Sequence, residues 1–376
     1  MRSDDAAEAF ARPSHRAGRS WGVRLELIAQ GRFATSNRKY FSTVEVAMLR
    51  ISSSEFEEFV AAVPAISGRY LQTGRSVRAW RLSMTTLGDV TIVWVRGGAR
   101  NIFHGTSLAG RYSLYLPISE PTVVALNGLK LANARFGSIC PGQEFILRTD
   151  APTLWAGFQV PCSAVRHRVG FDHDDATLLA QTRVLQATPL AIARLFALTQ
   201  RLRAVEARDP DVLDGTPSRN ALAQQLLDAI FEMLHRGDPR DAPKVGRRPM
   251  QRHRIMERCL ELIESRLDCA PTVEDLCSVA GVSDRTLRTV FIEQCGVAPH
   301  RYLMIRRLHA IHEALCYAVA GETVTSICSA FGVWDFGRLA RQYHSLYGAL
   351  PSQHLHRAGR MRRGKSHGAP RLGRVH

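Results

Sequence analysis

Between Trp80 and Val160 the chain alternates short apolar runs with turn residues: DVTIVWVRGG, RYSLYLPIS, TVVALNG, ARFGSICPGQEFIL and TLWAGFQV. Runs of this length, punctuated by glycine, proline and asparagine, predict the strands of an antiparallel barrel or sandwich. Just upstream, residues 54–63 predict one amphipathic helix with Phe56, Phe59 and Val60 turned inward. Beyond Val160 the apolar period lengthens from 2 to 3.6. Leu178, Leu179, Val184 and Leu185 form a first helical group, Ala191, Leu195, Leu198 and Leu202 a second, and Leu222, Leu226, Leu227, Ile230 and Met233 a third. The pattern is therefore α+β: strands first, helices after. Gly237 to Pro249, with three prolines, two glycines and mixed charge, predicts an exposed linker closing this first unit.

The last third contains an internal repeat. Val273, Leu276, Cys277, Ala280, Gly281, Val282 and Asp284 recur 51 residues later as Val324, Ile327, Cys328, Phe331, Gly332, Val333 and Asp335. Past the turn the offset becomes 52, so that Leu287, Phe291, Gly296 and Pro299 match Leu339, Tyr343, Gly348 and Pro351. In each copy a short helix with one apolar stripe runs into a glycine. Gly281 and Gly332 stand where the chain must turn left-handed, which glycine does without steric cost. Ser283 and Asp335 are placed to cap the following helix through a side-chain oxygen. Two short helices joined by such a turn predict a helix-turn-helix, whose second helix enters the DNA major groove. Pro299 fits the first turn of a longer helix through Tyr302, Leu303, Leu308, Ile311 and Leu315 that joins the copies. Ile255, Cys259, Leu260, Ile263 and Leu267 mark another helix ahead of the first copy.

Charge adds to this picture. Lys and Arg number 50 against 34 Asp and Glu in 376 residues, a net charge of +16. Residues 244–376 hold 21 basic and 11 acidic side chains, so the segment with the repeat carries +10 of it. That bias favours a polyanionic partner, and with the repeat it points to double-stranded DNA. A chain of this length predicts two domains. No apolar stretch approaches a membrane span, and the first residues lack the apolar run of a secretory signal, so a cytoplasmic location and no membrane partner are expected. None of the eight cysteines is spaced as Cys-x-x-Cys, which gives no zinc-finger pattern, and several fall on apolar helix faces as small hydrophobes.

The motifs VEDLCSVAGVSDRTLRTVF, GVAPHRYLMIRRL and VTSICSAFGVWDFGRLARQYHSLYGALPS, spread in order over residues 250–357, resemble the AraC/XylS family of bacterial transcription regulators. VEDLC and the Gly-Val-Trp-x-x-Gly-x-Leu-Ala-x-x-Tyr pattern look closest to the branch of ethanolamine-operon regulators. The resemblance implies a helical DNA-binding domain with two recognition helices in successive major-groove segments. It also implies an N-terminal cupin-like β-barrel or sandwich with flanking helices for effector sensing or dimerisation, in which PGQEF, Pro141 to Phe145, resembles a Pro-Gly-Asp turn with Gln143 in place of the acid. A small-molecule effector and RNA polymerase are the further partners it implies, and activation is the output. The expected division is a flexible tail over 1–20, a sensing domain over 21–236, a linker over 237–249, the DNA-binding domain over 250–357 and a basic disordered tail over 358–376.

Helix geometry puts Arg285, Arg288 and Thr289 on the groove-facing side of the first reading helix. Gly337, Ala340 and Arg341 take the matching places in the second, with Arg338 nearby. Arginine can hold guanine O6 and N7 with two hydrogen bonds, and a threonine methyl can touch a thymine methyl; an arginine on phosphate would position without reading. Many relatives have Gly-Phe and Ser-His-Phe where this chain has Gly332-Val333 and Gly337-Arg338-Leu339. A rival reading is a cupin-type metalloenzyme fused to a DNA-binding domain, but the strand region offers only His104 as a histidine ligand. Asp172 to Asp175, Asp-His-Asp-Asp, reads as a helix cap better than as a metal site. No enzyme activity and no cofactor are therefore expected. A third reading, an architectural DNA-binding protein, would leave the first 240 residues without a role. Ala191, Leu195, Leu198 and Leu202, at 4-3-4 spacing, suit either a homodimer seam or an internal core helix.

Overall fold

The computed structural model describes residues 24–28, 48–53, 56, 59–60, 67–118, 124–132, 134–168, 182–208, 217–235, 247–266 and 271–366. Its strands are β1 Arg24–Ile28, β2 Met48–Ser53, β3 Ser67–Gln72, β4 Trp80–Leu87, β5 Val90–Arg96, β6 Asn101–Thr106 and β7 Arg111–Pro117. They continue as β8 Val124–Leu126, β9 Leu129–Lys130, β10 Arg135–Ile139, β11 Glu144–Thr149, β12 Leu154–Pro161 and β13 Arg183–Gln186. Eight of them form one antiparallel sheet in the order β1-β2-β4-β5-β12-β7-β10-β13, and five form a second in the order β3-β6-β11-β8-β9. Among the described residues neither sheet closes on itself, so the strand region is a sandwich and not a barrel.

Side chains on alternate residues of a strand point to opposite faces, and here both faces of both sheets are apolar. Val93 and Val95 of β5, Trp155 of β12, and Phe145 and Leu147 of β11 share one buried cluster between the sheets. Phe56 and Phe59, both helical as expected, close it with Val60 at its edge. The other face of β5 and β12, with Ile92, Trp94, Ala156 and Phe158, packs on two helices, α2 Pro189–Arg208 and α3 Pro217–His235; a short α1, Cys162–Arg168, precedes them. The other face of the five-stranded sheet, with Leu71, Ile102 and Ile146, belongs to the core of the C-terminal helices. The molecule is thus four layers deep, helices on sheet on sheet on helices.

Several expectations need correction. Val184 and Leu185, read as helical, lie in β13, which pairs with β10 at Phe136↔Leu185 and Gly137↔Val184. A four-residue apolar segment is too short for its period to separate strand from helix, and the open edge of β10 decides. Ala191, Leu195, Leu198 and Leu202 are buried against the eight-stranded sheet and α3 of the same chain, so this stripe is core and not a free dimer seam. The helix α4, Arg247–Ser265, begins inside the stretch expected as a linker. Pro249 falls in its first turn, where the missing N–H has no intrahelical partner to lose. The last helix, α10 Pro351–Ser366, runs past Arg357 into the expected disordered tail; Ala358 is buried there, and the basic residues that follow are good helix formers favoured at a helix C-terminus. Residues 1–20, Leu178, Leu179, Leu267 and Asp172 to Asp175 lie outside the described residues.

Replacing Leu195 by Ala is expected to cost about 2–5 kcal/mol of stability. A denaturant midpoint that falls equally at all protein concentrations would mark a core residue, whereas a loss that grows on dilution would return it to an interface between copies.

Candidate nucleic-acid interface

The C-terminal core holds two similar units. The first is α5, Val273–Ala280, followed by α6, Asp284–Cys295; the second is α8, Val324–Ala330, followed by α9, Phe336–Tyr347. Each opening helix starts with a capping box, Thr272 with Asp275 and Thr323 with Ser326. The Thr272 backbone N–H, together with its hydroxyl, holds the Asp275 carboxyl below its ordinary range. The sequence reading passed over these threonines, although the Thr-x-x-Asp spacing of the first box was a usable signal. At the turns Gly281 and Gly332 have φ of 66° and 68°, the left-handed region glycine tolerates. Ser283 Oγ accepts the Thr286 N–H at 3.4 Å, and Asp335 Oδ1 accepts the Arg338 N–H at 2.9 Å. The change of offset from 51 to 52 is therefore a single extra residue, Trp334, between the left-handed glycine and the cap of the second unit.

A long helix, α7 Pro299–Tyr317, joins the units and begins on its proline. Near its start Tyr302 meets Phe291 of α6 edge-on at 5.5 Å between ring centres. Ten residues on, or about 15 Å of helix, His312 Nδ1 meets the hydroxyl of Tyr343 of α9. That hydroxyl lies 2.9 Å from Nδ1 of His354, on α10. One hydroxyl has one proton to give, so one imidazole accepts it and the other donates its own N–H. The buried triad fixes α7, α9 and α10 against one another.

The second helix of each unit exposes a basic face. Arg285, Arg288 and Thr289 are exposed on α6; Gly337, Arg338 and Arg341 are exposed on α9, and Ala340 is half-buried. Thr289 donates its hydroxyl proton to the Arg285 carbonyl at 2.9 Å. Among the described residues none of these four guanidinium groups takes an ion pair or hydrogen bond. Two other arginines of this half of the chain are engaged, Arg252 with Glu293 and Arg266 with Asp275 at 3.9 Å. Four unneutralised arginines on two capped helices make a surface suited to a polyanion.

The opposite ends of the same helices are held by the sandwich. Arg148, on β11 and 8% exposed, donates from one Nη to the carbonyls of Ile292 and Glu293 at 3.1 Å each. Asp150 Oδ1 supports its Nε at 3.0 Å. Gln294 donates to the Asn127 carbonyl at 3.1 Å. At the end of α9, Gln72 of β3 donates to the Leu346 carbonyl at 3.2 Å, and its own carbonyl lies 3.0 Å from His309 Nε2. Both helices end on left-handed glycines, Gly296 and Gly348, and an arginine of the sandwich lies against each, Arg148 on the first and Arg75 on the second. A cation there complements the negative end of the helix dipole. Sequence reasoning missed Arg148, Gln72 and Arg75, because nothing local in the chain says which residues face the helical domain.

His104 lies 3.5 Å from Glu144 and 3.9 Å from Glu264, bridging β6, β11 and α4. Among the described residues no group of three or more His, Cys, Asp or Glu is placed to hold a metal, and no helix is long and apolar enough to cross a membrane. Burial pushes the thiol of Cys140 up to about 11 and those of Cys259 and Cys295 up to about 12, the values of packed and unreactive cysteines.

The C-terminal helices are similar to a helix-turn-helix domain. Residues 276–357 match the family model described as "Helix-turn-helix domain". The chain is 34% identical over 102 residues to XylDLEGF operon transcriptional activator 3 of Pseudomonas putida, covering 27% of this chain and 31% of that protein. It is 31% identical over 102 residues to the Probable thc operon regulatory protein of Rhodococcus erythropolis, with the same shares covered. The chain thus spans about a third of the length of these curated relatives. Among solved structures, a probable AraC family transcriptional regulator from Rhodopseudomonas palustris is similar at 29% identity over 28% of this chain and 96% of that one, with a TM-score of 0.27.

Arg148→Ala is expected to cost about 1.5–3 kcal/mol, the worth of hydrogen bonds to a charged donor, and to speed amide hydrogen exchange in the last turn of α6 before other helices. The glycines give a graded test. Gly332→Ala meets open space and pays only backbone strain, about 1–2 kcal/mol, while Gly348→Ala must also displace Arg75 and should lower the melting temperature further.

Proposed function

We propose that this chain is a sequence-specific DNA-binding transcription regulator, an activator of the AraC type, that reads DNA with α6 and α9. The observation that carries this reading is the pair of exposed arginine faces, Arg285 and Arg288 on one helix and Arg338 and Arg341 on the other, with both helices joined through α7. Arg288 and Arg341 are the first base-reading candidates, Arg285 and Arg338 stand beside them for base or phosphate, and the Thr289 methyl meets a thymine methyl. Similarity to activators of the xylDLEGF operon supports activation, and with it RNA polymerase as a partner. The motifs VEDLC and GVWDFGRLARQY support a place near the ethanolamine-operon branch.

The sandwich is the effector-sensing, cupin-like half in this reading. Its support is the seam itself: Arg148 and Gln72 hold the carbonyl ends of both reading helices, so an effector that shifted the five-stranded sheet would act directly on their orientation. Such a ligand must bind two arrangements of that seam with different affinity, since equal affinity shifts nothing.

The full chain is expected to protect an asymmetric site with two half-sites about one helical turn, roughly 10 base pairs, apart. Arg288→Ala should cost on the order of 1–3 kcal/mol and relax preference at one or two base pairs, and Arg341→Ala should act in the other half-site. Footprinting on fragments selected with the pure protein checks both. Protection of a single groove segment, unchanged by Arg341→Ala, would leave the second unit as a structural copy only, and loss of affinity equal on all sequences would put Arg288 on phosphate.

A further inference from the structure

We infer that Trp334 contacts DNA and supplies the second reading helix with the apolar readout that its own short side chains lack. This rests on α9 being a DNA-reading helix, and it gives a role to a residue that the repeat does not contain and that the family pattern names without one.

The first observation is the insertion. The turn of the first unit is Gly281-Val282-Ser283, and that of the second is Gly332-Val333-Trp334-Asp335. Both glycines are left-handed, both valines pack into the C-terminal core, and both last residues are caps. What the second turn adds is one tryptophan.

The second observation is where that ring goes. Trp334 is 76% exposed, while the other described tryptophans, Trp80, Trp94 and Trp155, are 0%, 6% and 6% exposed. An apolar residue just before a helix cap ordinarily packs on the fourth helical residue, as a hydrophobic staple. Here that partner is Leu339, which is already buried in the C-terminal core without Trp334. The ring therefore stays in water, although it carries on the order of 150–250 Å² of burial area.

The third observation is what surrounds it. Trp334 stands at the N-terminal end of α9, the end by which recognition helices approach base edges. Three residues on, Gly337 has no side chain, and a Cβ built there would have only Asp335 Oδ1 within 4 Å. The neighbouring Asp335 carboxylate is occupied by the Arg338 N–H at 2.9 Å. An indole here can lie flat on deoxyribose and thymine methyl while its N–H donates to a phosphate oxygen. Gly337 and Ala340 are too short to reach bases, so the apolar contact of Trp334 and the charge of Arg341 divide the second half-site between them.

The test uses the full chain and a double-stranded fragment selected from a random pool with the unaltered protein. Binding is measured by mobility shift, and indole accessibility by acrylamide quenching with and without DNA, with W334F subtracted to remove the other four tryptophans. We expect DNA to shield Trp334, W334A to weaken specific binding at least tenfold with preference relaxed in one half-site, and W334F to lose less. The thermal midpoint of each variant guards against a folding defect; an exposed residue should leave it unchanged. Selective binding by the unaltered protein with W334A at equal affinity and Trp334 unshielded would overturn the inference and leave the regulator reading standing. Shielding that rises with protein concentration in the absence of DNA would overturn it in favour of a contact between copies. Failure of the unaltered protein to select any DNA would instead bring down the reading on which it rests.

Discussion

The five-stranded sheet has two apolar faces, and a sheet of that kind must be covered twice. In β11 the sequence EFILRT sends Phe145 and Leu147 towards the other sheet and Ile146 and Arg148 the opposite way. The first pair closes the sandwich. The second pair, with Leu71 and Ile102, closes against the helices that carry the arginine faces. A strand with one polar face would have left the C-terminal domain on a tether. Because Ile146, Leu71 and Ile102 make this face apolar around Arg148, the two halves of the chain share a core, and every hydrogen bond at the seam, from Arg148 to Gln72, depends on that burial to be kept from water.

The seam also explains why two glycines are constrained from both sides. A left-handed residue is needed wherever these helices end, which glycine alone would satisfy at little cost. At Gly296 and Gly348, however, an added Cβ would also fall 2.8 Å and 2.5 Å from the arginine of the sandwich. Gly281 and Gly332 meet nothing within 4 Å. The four glycines share a backbone conformation, yet only the pair at the seam is fixed by the neighbouring domain as well. The carbonyl ends of the helices are thus buried and paired, while their exposed faces point arginines at no partner.

How much of this was legible in the chain depended on how local the cause was. Caps, turns and helix stripes are set within four residues, so the repeat, the left-handed glycines, Ser283, Asp335 and the Pro299 start could all be read directly. Strands β5, β7, β8, β10, β11 and β12 were legible as apolar runs between turns. β13 was not, because Val184 and Leu185 take their conformation from the edge of β10, some 50 residues away in the chain. The stripe of α2 was found, but whether it faced a second copy or its own sheet is a tertiary question that periodicity cannot answer. Arg148 and Gln72 were invisible for the same reason: their partners lie 144 and 274 residues off. Local features wrote the arginine-bearing side of the helical half, and non-local ones the side that holds it.

The two sides together make the units unequal in a way that the repeat alone conceals. Both α6 and α9 share the strut α7, but the first meets it through an aromatic pair, Phe291 and Tyr302, and the second through a stack of Tyr347 on His312 together with a hydroxyl held between two imidazoles. An aromatic contact that slides slightly leaves no polar group without a partner. A buried hydroxyl displaced from its two nitrogen partners is a polar group stranded away from water. The first helix compensates at its far end, where a buried arginine grips two carbonyls, against one glutamine amide on the second. A change in the sandwich would therefore be felt more by α6, whose orientation leans on the seam, than by α9, whose orientation leans on the strut.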